Sequence, residues 1–151
     1  MKTFHLAIAA LFAFAVPIPG AVSAQSFNSE NGRITVTTVA KGLSQPWGID
    51  FLPDGRMIVT EKPGRLRIVT PDGKILPPVG GVPRVDDGGQ GGLLDVTLHP
   101  DFRTNRLVYL SYAEPGAGGR STALARGALR ADGTALDNVT TLVYIYIYIY
   151  I

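Results

Sequence analysis

The sequence predicts an all-β fold of short antiparallel strands, and three observations predict it. Glycine and proline number 18 and 11 in 151 residues, which argues against long helices and for many turns. Short β-branched and apolar runs alternate with Pro-Asp-Gly and Pro-Gly turns between Trp47 and Gly73. A strand–turn–strand unit then occurs a second time, with Pro53 and Pro100 set 47 residues apart. A period in the forties with about four strands per unit marks a β-propeller blade. A β-sandwich also spaces its strands closely, but repetition of a whole unit favours a partial β-propeller of about two blades.

The chain begins with a segment that stands outside this fold. Lys2 is followed by an apolar run from Leu6 to Val16, a break at Pro17, Pro19 and Gly20, and the small residues Ala21-Val22-Ser23-Ala24. This is the pattern of a secretory signal peptide, residues 1–24, cleaved after Ala24. The run is too short for a membrane anchor, which needs about 20 apolar residues. Export to the periplasm or the medium is the expected destination. There is no cysteine, so disulfide scaffolds, thiolate metal sites and cysteine nucleophiles are excluded. The formal charge is +2 and the basic residues form no run, so neither nucleic acid nor an anionic membrane surface is indicated as a partner.

The body, residues 25–142, reads as successive strands. Gly32–Ala40 is β-branched and alternating; Trp47–Leu52, Arg56–Glu61 and Arg65–Thr70 follow, joined by Pro53-Asp54-Gly55 and Pro63-Gly64 and closed by Pro71-Asp72-Gly73. Proline presets φ for the turn, Asp bonds back to the backbone and Gly accepts positive φ, so three strands in this order predict an antiparallel meander. In the third, Leu66, Ile68 and Thr70 share one face and Arg65, Arg67 and Val69 the other. Ile49–Glu61 is matched by Val96–Tyr112, and Ser121–Thr134 adds a further strand and an Asp-Gly turn. Between the copies, Leu76–Val96 is a Pro- and Gly-rich connection, where binding groups on rigid scaffolds tend to sit.

The sharpest local feature lies there. Gln90 is flanked by Gly88 and Gly89 before it and Gly91 and Gly92 after it. Such a turn leaves the amide unobstructed, with one acceptor and two donors for a ligand; spacing alone serves a solvated loop equally well. It is no dinucleotide fingerprint, because a strand follows instead of a helix. Asp86, Asp87 and Asp95 are acids near Gln90, but a Ca²⁺ site wants six to eight oxygens, so solvated loop acids are the expectation. The two histidines are His5, in the signal, and His99, in a His-Pro-Asp-Phe turn where a structural role is expected. Asn138-Val139-Thr140 matches the glycosylation triplet, a weak signal in isolation.

Two segments, Leu43–Val69 and Gly88–Phe102, supported by Asn105–Glu114, resemble the N-terminal part of the soluble pyrroloquinoline-quinone (PQQ)-dependent aldose sugar dehydrogenases, the glucose/sorbosone dehydrogenase family. Gly-Gly-Gln-Gly-Gly-Leu-Leu running into His-Pro-Asp-Phe is the more specific of the two. The resemblance covers about Gly32 to Thr141, roughly the first third of a family member. It implies a six-bladed propeller with PQQ and Ca²⁺ in a central site. There an active-site histidine takes the proton of an aldose's anomeric hydroxyl and hydride passes to the quinone. It also implies that Gln90 is a substrate- or cofactor-binding residue. The family's catalytic histidine follows the strand begun at Asn138–Leu142, and its Ca²⁺ ligands and quinone-gripping cations come later still. No catalytic or metal-binding residue is therefore assigned, and the chain by itself is expected to bind neither cofactor and to lack activity. The alternative is a non-catalytic propeller module that binds a sugar or a protein partner.

From Tyr144 to Ile151 tyrosine and isoleucine alternate strictly. Half-buried strands alternate apolar with polar residues; here both faces are apolar. A run of TA dinucleotides translates as Tyr-Ile, so residues 143–151 read as a low-complexity tail from a disrupted frame. With strong strand formers, no charge and no proline, it is an aggregation hazard.

Overall fold

The computed structural model describes residues 24–116 and 119–145. The segment read as a signal peptide lies outside the described residues except for Ala24, as do residues 146–151 of the segment read as a tail. The chain divides into two compact units at Thr38/Val39.

The first unit holds one hairpin. β1 (Ala24–Ser29) pairs with β2 (Gly32–Thr37), Phe27 opposite Ile34. β2 is the alternating run read from the sequence, but it ends at Thr37 and not at Ala40. β1 was not foreseen, because Ala-Gln-Ser-Phe-Asn-Ser carries no β-branched pattern. The loop is Glu30-Asn31, and Asn31-Gly32 across its end is a turn signal that was available to find it.

The second unit is two antiparallel sheets. β3 (Pro46–Phe51), β4 (Met57–Glu61) and β5 (Arg65–Val69) form the expected meander, in the order β3-β4-β5. Ile75 and Val79 bridge singly to Val69 and Leu66, so the start of the long connection lies along β5 as a rudimentary fourth strand. Pro77 and Pro78 remove two backbone donors there, which only a sheet edge tolerates. The second sheet runs β6 (Leu93–Leu98), β7 (Leu107–Gly116), β8 (Gly119–Leu129) and β9 (Leu136–Ile145). A single helical turn, α1 (Phe102–Asn105), fills the β6–β7 connection.

The repeat is structural. β3 and β6 each carry an irregularity, at Pro46/Ile49 and Leu93/Val96, offset by the same 47 residues that separate the two prolines. Both strands also have backbone N–H groups taken by side chains. Gly48 N–H donates to Thr60 Oγ1 at 2.8 Å and Phe51 N–H to Asp50 Oδ1 at 2.7 Å. Asp95 N–H donates to Ser111 Oγ at 3.0 Å and Val96 N–H to Asp95 Oδ1 at 2.9 Å. Thr60 and Ser111 come from the paired neighbouring strands, whereas the Asp50 and Asp95 caps blunt the edge strands themselves.

The sheets share one core. Ile58, Leu66 and Ile68 of the first meet Leu93, Val108, Leu110, Tyr112, Ala125 and Leu129 of the second, all at most 1% exposed. Period-2 burial along β7 and β8 places these residues on one face. Val69 is also buried, at 2%, so the Arg65–Val69 face of β5 is drier at that end than alternation alone implies. Polar staples cross between the sheets: Leu98 N–H donates to Asp50 Oδ2 at 2.8 Å, and the Thr60 hydroxyl donates to Leu94 O. Tyr112 is fully buried, with its hydroxyl 3.1 Å from Thr141 Oγ1. Burial pushes its phenol up, against the Thr141 bond that lowers it.

Candidate functional site

Gln90 sits at the tip of a tight turn in the segment leading into β6. Gly91 N–H donates to Gly88 O at 2.8 Å to close the turn, and Gly89 takes φ +51°. The legs are tied to both sheets. Asp86 N–H donates to Ala113 O at 2.9 Å and Ala113 N–H to Gly92 O at 2.8 Å, while Leu93 N–H donates to Lys62 O at 2.9 Å. Close approach explains the glycines after Gln90. A Cβ on Gly91 would meet Asp86 O at 2.3 Å. One on Gly92, where φ is +131°, would meet Lys62 O at 2.5 Å. Gln90 itself is exposed, with no hydrogen bond to its side chain from the described residues. The amide is thus held out on an anchored turn, which differs from a loose loop.

Two cations grip this turn, and neither stands out in the sequence pattern. Lys62 Nζ donates to Gly89 O at 2.7 Å. Arg120 donates to Gly88 O and lies 3.4 Å from Asp86 Oδ1. Lys62 stands in the β4–β5 turn and Arg120 near the start of β8; each is an isolated basic residue beside glycine or proline, a pattern that reads as solvated surface.

The three acids near Gln90 do not converge. Asp86 Oδ1 accepts Gly88 N–H at 2.9 Å and faces Arg120, so it is a turn cap and not a freely solvated acid. Asp95 accepts its neighbour's N–H, and Asp87 is exposed. Among the described residues no group of three or more His, Asp or Glu side chains is placed to hold a metal ion. The donor set does not fit a Ca²⁺ cage, and the two cations beside Gln90 are engaged with main-chain carbonyls. The chemistry available here is one amide presented on a fixed backbone.

His99 lies at the opposite end of β6. Its Nδ1 accepts Asp101 N–H at 3.0 Å and is 2.8 Å from Asn105 Nδ2, and its ring stacks on Tyr109 with centroids 6.2 Å apart. Asn105 Oδ1 accepts Leu107 N–H at 2.9 Å, which fixes the amide so that its NH₂ faces the ring. These bonds order the β6–β7 turn. A groove of about 540 Å³ opens there, lined by Asp50, Phe51, His99, Phe102 and Arg103 among others. It adjoins a smaller one of about 240 Å³, where Arg56 is paired with Asp54 and Arg106 donates to the Leu129 and Arg130 carbonyls. Neither groove includes Gln90 in its lining.

Near the Gln90 end of the first sheet, Glu61 is 3% exposed and accepts Ser44 N–H at 2.5 Å and Arg65 Nε at 2.6 Å. Burial alone pushes its carboxyl up. The Ser44 and Arg65 hydrogen bonds, with the charges of Arg65 and Arg67, outweigh that and hold it below the ordinary range. Glu61 therefore ties the entry into β3 to the start of β5.

Residues 43–146 match the family model described as Glucose / Sorbosone dehydrogenase. The aldose sugar dehydrogenase YliI of Escherichia coli (strain K12) is 42% identical over 101 residues, covering 66% of this chain and 27% of that protein. The apo-form crystal structure of the soluble aldose sugar dehydrogenase from Escherichia coli superposes with a TM-score of 0.68 at 34% identity, over 82% of this chain and 33% of that one. The PQQ-bound aldose sugar dehydrogenase of Streptomyces coelicolor gives 0.65 at 26% identity, over 83% and 35%. The chain spans about a third or less of the length of these relatives.

Proposed function

Because the chain belongs to the glucose/sorbosone dehydrogenase family, we propose that it is the N-terminal part of a periplasmic quinoprotein that oxidises the anomeric hydroxyl of aldose sugars. The whole protein would be a six-bladed propeller, exported by the signal peptide of residues 1–24, with the two sheets described here as its first blades. PQQ, with Ca²⁺ beside it, would supply the hydride acceptor when bound. The contribution of this chain is Gln90, whose amide would hydrogen-bond the sugar or the quinone from one wall of the site. The observation that carries the reading is the family match running through an anchored turn that leaves this amide free. This reading assigns the anomeric proton to no residue described here; His99 Nδ1 already accepts the Asp101 N–H within its own turn. The chain alone would therefore be inactive.

The test is dye-linked oxidation of a panel of aldoses by purified chain from Gln25 onward, supplied with PQQ and Ca²⁺. Dye reduction at the level of the protein-free control is expected. Turnover above that level would show that the chain already contains a complete site and would overturn the reading.

A further inference from the structure

Four glycines around Gln90 give the turn wide backbone freedom, yet its two successive carbonyls before Gln90 are both occupied by cations. Gly88 O accepts from Arg120, and Gly89 O accepts from Lys62 Nζ at 2.7 Å. Lys62 comes from the β4–β5 turn of the first sheet and Arg120 from β8 of the second. Lys62 is tied in beyond its ammonium: its N–H donates to Gln45 O at 3.0 Å and its carbonyl accepts Leu93 N–H at 2.9 Å. Its Cγ lies 2.6 Å from where a Cβ on Gly92 would stand. Arg120 is oriented in turn by Asp86.

We propose that Lys62 and Arg120 are positioning residues that clamp the Gly88–Gly89 carbonyls from two different sheets and so set the direction of the Gln90 amide. The proposal rests on the reading of Gln90 as a site residue for its functional meaning, though not for its geometry. Charge-assisted bonds to carbonyls are about twice as strong as neutral ones, which suits a turn whose glycines supply no packing of their own. With its partners on separate sheets, the clamp makes the placement of Gln90 depend on both blades being docked together.

The experiment is hydrogen exchange of the Gly91 amide, which closes the turn, in the full chain and in K62M, K62R and R120M. Methionine keeps the lysine's stem against Gly92 and removes only the donor. Exchange at Gly91 is expected to rise about tenfold in K62M and in R120M, to stay near the parent in K62R, and to be unchanged for amides in β4 and β7. Unaltered Gly91 exchange in both K62M and R120M overturns the clamp. So does a rise shared equally by the core strands, which would mark general destabilisation. The readout needs no sugar, quinone or ion. A Q90A change that leaves turnover by the longer protein proposed above unaltered would therefore overturn the functional reading alone.

Discussion

Glu61 is the clearest case of a single side chain organising its surroundings. Because its carboxyl titrates below the ordinary value in the folded chain, it adds stability above the unfolded-state pKa of about 4.3, and that stability is lost as pH falls through the lower folded value. Glu61→Gln should cost on the order of 2 kcal/mol at pH 7 through weakened bonds to Ser44 and Arg65. Denaturant unfolding of both proteins at pH 7 and pH 3 checks this: the gap should narrow at the lower pH, because below the unfolded-state value the parent's advantage falls as pH falls. Gly92 makes the parallel point for the backbone. Gly92→Ala combines a φ of +131° with a 2.5 Å approach to Lys62 O and should cost about 2–3 kcal/mol. Gly89→Ala, at φ +51° with its nearest neighbour at 3.9 Å, should cost about 1 kcal/mol. Thermal unfolding of the two variants should reproduce that order.

Elements were legible where pattern and turn chemistry agreed. β3, β4 and β5 lie within a residue or so of their expected places, because Pro-Asp-Gly and Pro-Gly punctuate them and β-branched residues fill them. β1 was not legible, since its polar sequence gains its strand state from pairing with β2. The Ile75–Val79 edge was hidden by two prolines, which signal a loop wherever the neighbouring strand is not known. At Gln90 the sequence exposed the glycines but not the anchors, because Lys62 and Arg120 are 28 and 30 residues away along the chain and isolated cations carry no pattern. Docking of the two sheets depends on Asp50, whose Oδ2 takes Leu98 N–H and lies 3.3 Å from Thr97 Oγ1. Asp50→Ala leaves that N–H unpaired and should cost about 1–2 kcal/mol, with hydrogen exchange rising first at Leu98.

At the scale of the molecule, the first sheet presents Trp47, Ile49 and Phe51 on one face of β3, at 55%, 52% and 64% exposure. On the same face Arg67, in register with Val59 and Ile49, has a buried Nε without a partner among the described residues. An apolar stripe beside an unmet donor is a surface that a packing partner would complete, a role the proposed further blades would fill. At the other end, β9 keeps its pairing through Tyr144 opposite Ala123 and Ile145 opposite Thr122. Tyrosine and isoleucine favour strands in any context, so this pairing is compatible with the proposed TA-repeat origin of the tail.

The proposal that most needs testing is that this chain is the N-terminal part of a sugar dehydrogenase whose catalytic groups would lie beyond Leu142. Sequencing the source DNA in long reads across codon 142 tests it most directly. The account predicts an open frame that continues for the missing two thirds of a relative's length, with a histidine soon after Leu142 and acidic residues beyond. A genuine TA run ending in a stop codon, with no such frame behind it, would contradict it.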